Sequence, residues 1–170
     1  IGDQVHELSL REMFQRAGEI RGLAGEIPTQ DAAILRLLLV IVNRAIPEHR
    51  HGPPEWTRLW EARELPLAEI DAYLDAQGER FDLLSPTTPF LQVAGLSASK
   101  TSGLVKLIAE VPAGEQYFTT RAGRQITSLS YAEAARWLVH CQQFDVSGIK
   151  TGAIGDPRVK GGKGYPIGTG

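Results

Sequence analysis

The sequence predicts a helix-rich, mixed α+β globular domain, and three observations carry that reading. Apolar residues recur at helical spacing behind capping signals or helix-starting prolines. Between them lie short segments with strand-like content. The 170 residues are 42% hydrophobic and 22% charged, enough apolar material for one core on a chain of ordinary globular chemistry.

Ser9-Leu10-Arg11-Glu12 is a capping box, in which the Ser side chain takes a free amide and Glu12 reaches back. Leu10, Phe14, Ala17 and Ile20 follow at helical spacing, predicting a helix over residues 9–21. "GLAGEIPTQD" breaks it. Thr29 is the expected cap of a second helix over 30–45, with Asp31 in a first turn where the helix dipole favours an anion. That helix is apolar nearly all round, which predicts the central element of the core, Leu38 included. Pro53-Pro54 starts a third helix carrying Trp56, Leu59 and Trp60, whose spacing beside leucines reads as core. Leu65-Pro66 starts a fourth, with Leu67, Ile70, Tyr73 and Leu74 on one stripe and Gly78 at its end. "SPTTPF" is held extended by its prolines, and "FLQVAGL" and "EQYFTT" are strand candidates. Ser130-Tyr131-Ala132-Glu133 is a second capping box, opening a helix to Phe144 with Ala134, Leu138 and Cys141 on one stripe and Trp137 beside it.

The longest apolar run, Ile34 to Val42, is interrupted by Arg36, while a bilayer span needs about 20 apolar residues; a membrane partner is not expected. The chain opens at Ile1 without a basic-then-apolar leader and stops on an unfinished glycine-rich stretch, which reads as an internal piece of a longer protein. One cysteine, Cys141, allows no internal disulfide framework and fits a reducing, cytoplasmic setting.

Charge is unevenly spread. Residues 1–118 hold 11 basic and 17 acidic side chains, whereas residues 119–170 hold seven basic and three acidic. A positive segment on a mildly acidic body is a localised electrostatic footprint. Its extreme is "SGIKTGAIGDPRVKGGKGYPIGTG", residues 147–170, with eight glycines, four basic residues and one acid.

This stretch resembles a phosphate cradle but fails the strict patterns. A P-loop needs a glycine at the position of Pro157 and a Ser or Thr where Gly164 stands. The dinucleotide fingerprint started at Gly162 meets Ile167 at its last glycine. His6, His49, His51 and His140 form neither a helical pair nor a ligand cluster, and His49 and His51 read as surface residues. His140 and Cys141 are adjacent and point apart on a helix, and Cys141 reads as a small core residue. Catalytic residues, metal ligands and cofactors are therefore not expected.

The looser physical demand is met. Glycine lets backbone approach a groove or phosphate without a Cβ, successive amides form an anion-binding concavity, and Lys150, Arg158, Lys160 and Lys163 attract a nucleic-acid backbone. Two readings of the tail stand, a nucleic-acid contact and a plain flexible loop. Phe118, before the hydroxyl- and arginine-rich "TTRAGRQITSLS", either plugs the edge of the core or stacks on a base.

"SLREMFQRAGEIRGLAGEIPTQDAAILRLLLVIV", "RFDLLSPTTPFLQVAGL" and "YFTTRAGRQITSLSYAEAARWLVHCQQFDVSGIKTGAIGDPRVKGGKGYPIGTG" resemble the N-terminal domain of the CasA family, the large subunit of the type I-E CRISPR surveillance complex Cascade. The likeness runs in order through essentially all 170 residues, and "D-L-x-x-P-x-x-P-F-L-Q" and "F-D-x-S-G-I-K-T-G" are not generic patterns. It implies a non-catalytic subunit that detects the protospacer-adjacent motif (PAM) in double-stranded DNA, helps start unwinding and docks the helicase-nuclease effector. The implied partners are other Cascade subunits, the guide RNA 5′ handle, target DNA at the PAM and that effector. The implied domain is a mixed α/β globule of which residues 1–170 are part, followed by a helical bundle. By the same resemblance the glycine-rich PAM loop falls on Gly148, Ile149, Lys150, Thr151 and Gly152, where Ile149, Lys150 and Thr151 interrupt the glycine run of some relatives. The flexible loop near the RNA handle falls on residues 119–130, with Thr119, Thr120, Arg121 and Arg124 after the aromatic Phe118. A PAM-proximal lysine and a wedge residue of the family belong to chain beyond these residues.

Two rival functions remain from the residues alone. One is a nucleotide- or phosphate-binding enzyme domain using the Gly/Lys tail. The other is a protein-interaction module built on Trp56, Trp60 and the acidic half.

Overall fold

The structure is a computed structural model describing residues 4–109, 111, 126–145, 150–157 and 163–164. Five α-helices order the described chain: α1 Leu10–Gln15, α2 Pro28–Ala45, α3 Pro53–Ala62, α4 Leu67–Ala76 and α5 Tyr131–Phe144. Strand among the described residues is confined to β1 Lys150–Thr151 and β2 Lys163–Gly164, so the fold is helix-rich with little strand. "FLQVAGL" is not a strand. Its Phe90 amide donates to the Asp82 carbonyl (2.8 Å), Leu91 turns left-handed (φ 52°), and the Gln92 side chain donates to Leu83 O (3.0 Å). "EQYFTT" lies outside the described residues.

Caps set most boundaries. Both halves of the Ser9 box form, the Glu12 carboxylate taking the Ser9 amide at 2.8 Å. The α1 helix is nevertheless shorter than its apolar spacing predicts: it closes at Gln15, and a 3-10 turn over Ala17–Glu19 carries the rest. Ser130 caps α5 by accepting from the Glu133 amide at 3.1 Å. At α2 the expected cap is displaced. Pro28 takes the first helical position, where its missing N–H costs nothing, and Ile27 precedes it as N-cap. The first-turn side chains then serve the loop before them. Asp31 accepts from the Gly25 amide at 2.6 Å, and Gln30 accepts from Glu26 at 3.0 Å. A Cβ at Gly25 would stand 2.6 Å from Asp31 Oδ1 and 2.9 Å from Gln30 Oε1, so both side chains would have to shift away from the amides they hold.

α2 packs against α4 and α5, and α1 against α4. One buried cluster joins Phe14, Ile41, Val42, Ile46, Ile70 and Leu74, with Leu38 partly buried against it. A second joins Ile108, Val111 and Trp137, and Ile126 and Leu129 pack onto it. Charge pairs fasten the periphery: Arg11 reaches Asp71 and Asp75, tying α1 to α4. Arg50 joins Glu55 to Glu69, and hydrogen bonds from Arg58 first, then Arg50, hold the Glu55 carboxyl down to about 2.

Burial departs from expectation on two helices. Trp137 is fully buried, but Trp60 is 84% exposed and Trp56 is also exposed. The tryptophan spacing is helical, but it follows the outer face of α3. On α2, Leu35, Leu39 and Val40 are exposed, so the described chain covers only part of this apolar helix. The α5 stripe is also shifted: Trp137, Val139 and His140 are buried, whereas Cys141 is half-buried with its thiol on Leu107 O.

The α2–α5 seam is polar. Thr29 Oγ1, released from capping, meets His140 Nε2 at 3.0 Å, and Gln143 Nε2 donates to Ala33 O at 2.9 Å. His140 stands edge-on to Trp137 and stacks on Phe144. Burial pushes the His140 imidazole below its usual value. His49 and His51 are exposed as expected, and His51 Nε2 lies within hydrogen-bond reach of Asn43 O and Ile46 O at the end of α2. No helix among the described residues is long and apolar enough to cross a membrane.

Candidate nucleic-acid interface

Two ends of the glycine-rich segment meet. β1 and β2 pair antiparallel, with Lys150 opposite Gly164 and Thr151 opposite Lys163. Lys150 and Lys163 therefore stand on neighbouring rungs, where the alternation of a strand puts successive residues on opposite faces. A strand spacing of about 4.8 Å separates the two arms.

The same segment is sewn to the body. Ala153 bridges Ala98 antiparallel, and the Ile154 amide donates to Ser97 O at 2.8 Å. Gly152 thus lies between two pairings, half-buried. Gly155 completes the turn at φ 84°, the left-handed region that disfavours any side chain. Residues 150–157 are therefore a paired ribbon and not a free tail.

Among the sequence-predicted residues, the structure brings Lys150, Thr151, Gly152 and Lys163 together. Phe118, Thr119, Thr120, Arg121, Arg124, Gly148, Ile149, Arg158 and Lys160 lie outside the described residues. Of the loop 119–130, the part from Ile126 is described, and Ile126 and Leu129 anchor it against the Trp137 cluster. The pairing also adds the polar stretch "SASKTSG", residues 97–103, with exposed Lys100 two positions beyond the Ala98 bridge. Only its Ser/Thr/Lys/Gly content could have flagged it, because the pairing is long-range.

The wide cleft elsewhere has different chemistry. About 880 Å³ opens between residues 4–10, α2 and α5, lined by apolar groups such as Met13, Ile34, Leu37, Phe81 and Val139, and by none of the predicted site residues. Among the described residues no group of three or more His, Cys, Asp or Glu is placed to hold a metal ion. What the ribbon offers is glycine-containing backbone brought against residues 97–98.

Comparison with known proteins identifies a family for the whole chain. The sequence matches the family described as CRISPR-associated protein Cse1 over residues 2–170. It is 31% identical over 150 residues to CRISPR-associated protein CasA/Cse1 of Thermus thermophilus, covering 87% of this chain and 30% of that protein. The crystal structure of Thermobifida fusca Cse1 superposes with a TM-score of 0.79 at 53% identity, covering 95% of this chain and 30% of that one. Cse1 from Acidimicrobium ferrooxidans superposes at 0.72 and 39% identity, covering 94% and 29%. The chain belongs to the CRISPR-associated Cse1 family. It spans about 30% of the length of these relatives.

Proposed function

We propose that this chain is part of a non-catalytic subunit of the type I-E CRISPR surveillance complex Cascade, acting in the cytoplasm. The subunit recognises the PAM in double-stranded DNA, helps start target unwinding and docks the helicase-nuclease effector. Residues 1–170 contribute to its N-terminal domain, with a helical bundle following in the complete protein. Family membership supports the CRISPR role. The observation that carries the DNA reading is the pairing of Lys150–Thr151 with Lys163–Gly164 in a ribbon fixed to residues 97–98.

The ribbon's chemistry suits the task. The minor groove shows a degenerate pattern of acceptors, so a reader that tolerates several motifs gains more from close backbone than from long, base-specific side chains. Residues 148–152 approach the groove, with Gly148 and Gly152 acting by shape and Lys150 by charge. Arg158, Lys160 and Lys163 hold phosphates without reading sequence. Phe118, Thr119, Thr120, Arg121 and Arg124 face the guide RNA 5′ handle and the PAM-proximal duplex. Exposed Trp60 and Trp56 favour a second contact, with another protein of the same complex.

The test is reconstitution. The full-length protein should co-purify with the other Cascade subunits and guide RNA, and the assembly should prefer duplexes bearing a functional PAM. Equal preference with and without this subunit, or steady phosphate release from ATP by the clean protein, overturns the reading.

A further inference from the structure

The last turn of α5 carries two adjacent glutamines that serve different parts of the molecule. Gln143 Nε2 donates to Ala33 O at 2.9 Å and ties α5 to α2. Gln142 Nε2 donates to Leu91 O at 3.2 Å, 51 positions away in the chain and outside any helix. Neighbours on a helix point about 100° apart, so the two amides reach separate elements.

Leu91 is an uncommon acceptor. It stands at φ 52°, in the left-handed region that a non-glycine side chain occupies at a cost. Such a residue persists only where its surroundings over-determine it. On one side of it the Phe90 amide donates to Asp82 O at 2.8 Å, and on the other the Gln92 side chain donates to Leu83 O at 3.0 Å. Those two bonds are made within the loop itself. The bond from Gln142 fixes the bend to α5.

The bend matters because of where the chain goes from it. Further along, Ser97 O accepts the Ile154 amide at 2.8 Å, and Ala98 bridges Ala153. These contacts dock residues 150–157 on the body. α5 thus reaches the ribbon by two routes. One runs along the chain, from the C-cap Asp145 to Lys150; the other crosses from Gln142 through Leu91 to residues 97–98. A segment tied at both ends has far less conformational freedom than one tied at a single end. Gln142 itself is exposed, so it adds little to the core.

We propose that Gln142 is a positioning residue for the ribbon. By holding the Leu91 bend against α5, it sets where residues 97–98, and with them residues 150–157, stand relative to that helix. Its consequence for DNA rests on the reading of residues 148–152 as the PAM contact: Gln142 then acts on recognition without touching the duplex.

The experiment uses the full-length protein assembled with the other Cascade subunits and guide RNA, as wild type and as Gln142→Glu. Glutamate keeps the shape of the side chain and removes the donor. Gln142→Ala, which adds no charge, should behave alike. Hydrogen exchange read peptide by peptide should rise roughly 2- to 12-fold over residues 92–98 and 150–157, the range that one ordinary hydrogen bond sets. Exchange across α2 and the melting midpoint should hold. Gln143→Glu is the contrast, and should speed exchange along the α2–α5 seam instead. Affinities for duplexes with and without a functional PAM are measured in parallel, and their ratio should shrink in both Gln142 variants. Unchanged exchange over residues 92–98 and 150–157 overturns the proposal. So does acceleration spread over α2 and α5 with a lowered midpoint, since Gln142 would then only support the fold. Faster exchange in both segments with an intact affinity ratio upholds the positioning role and overturns the reading of the ribbon as the PAM contact.

Discussion

Ile41→Ala separates the inner face of α2 from its outer face. Ile41 is 1% exposed and sits in the cluster with Phe14, Val42, Ile46, Ile70 and Leu74. The substitution removes three carbons, worth about 0.8 kcal/mol each on burial, or ~2.4 kcal/mol of transfer. Because α2 is clamped by α4 and α5, the site cannot collapse fully, and a residual cavity raises the cost to about 3–4 kcal/mol. At roughly 2–4 °C per kcal/mol for a chain of this length, the midpoint falls by about 6–16 °C. The assay is thermal unfolding of the 170-residue chain followed by far-UV circular dichroism, with urea unfolding for the free energy and Leu39→Ala alongside. Leu39 is 55% exposed, so its truncation should cost under about 1 kcal/mol here. Equal losses for both in the 170-residue chain would refute the assignment of faces.

Trp60→Ala should change stability by less than about 1 kcal/mol, since the ring is 84% exposed; a loss of core size in urea unfolding would place Trp60 inside. His140 should make stability fall with acid. Its folded pKa is lowered, so the unfolded chain binds the extra proton, and stability drops as pH falls below about 6.5 by up to ~1.4 kcal/mol per pH unit. Urea midpoints from pH 8 to 5.5 should therefore slope more steeply for wild type than for His140→Gln, and identical slopes contradict the burial argument. Phe118→Ala should weaken association with the RNA-bearing complex by about 1–3 kcal/mol while the melting midpoint holds. A lowered midpoint with unchanged association would make Phe118 a core residue.

Local chemistry was legible where it is decided locally. Ser9 and Ser130 announced their helices because a capping hydroxyl needs only its own next turn. Thr29 misled, because Pro28 fits the first helical position so well that the start moves back and Thr29 is free for His140. Trp56 and Trp60 show the limit of periodicity: the pattern fixes which residues share a face, whereas neighbours decide whether the face is covered. "FLQVAGL" has strand-like residues, but Pro89 before it and the Asp82 and Leu83 carbonyls behind it draw its donors into turns. The glycine-rich segment was legible as a basic, backbone-exposing surface. Its rungs to residues 97–98 and 163–164 were not, since short pairings between irregular segments leave almost no periodic trace.

The claim that residues 147–152 read the PAM is tested most directly by Gly152→Val in the assembled complex. Gly152 stands between the β1 pairing and the Ala98–Ala153 bridge, so a branched side chain there pushes the ribbon away from a groove while leaving every lysine in place. Affinity is measured for two duplexes, one with a functional PAM and one without, at two salt concentrations. Lys150→Ala serves as the contrast: it should weaken both duplexes alike and flatten the salt dependence by about one counterion. Gly152→Val should shrink the ratio of the two affinities while salt-sensitive, non-specific binding survives. An intact ratio would mean that this ribbon does not read the motif.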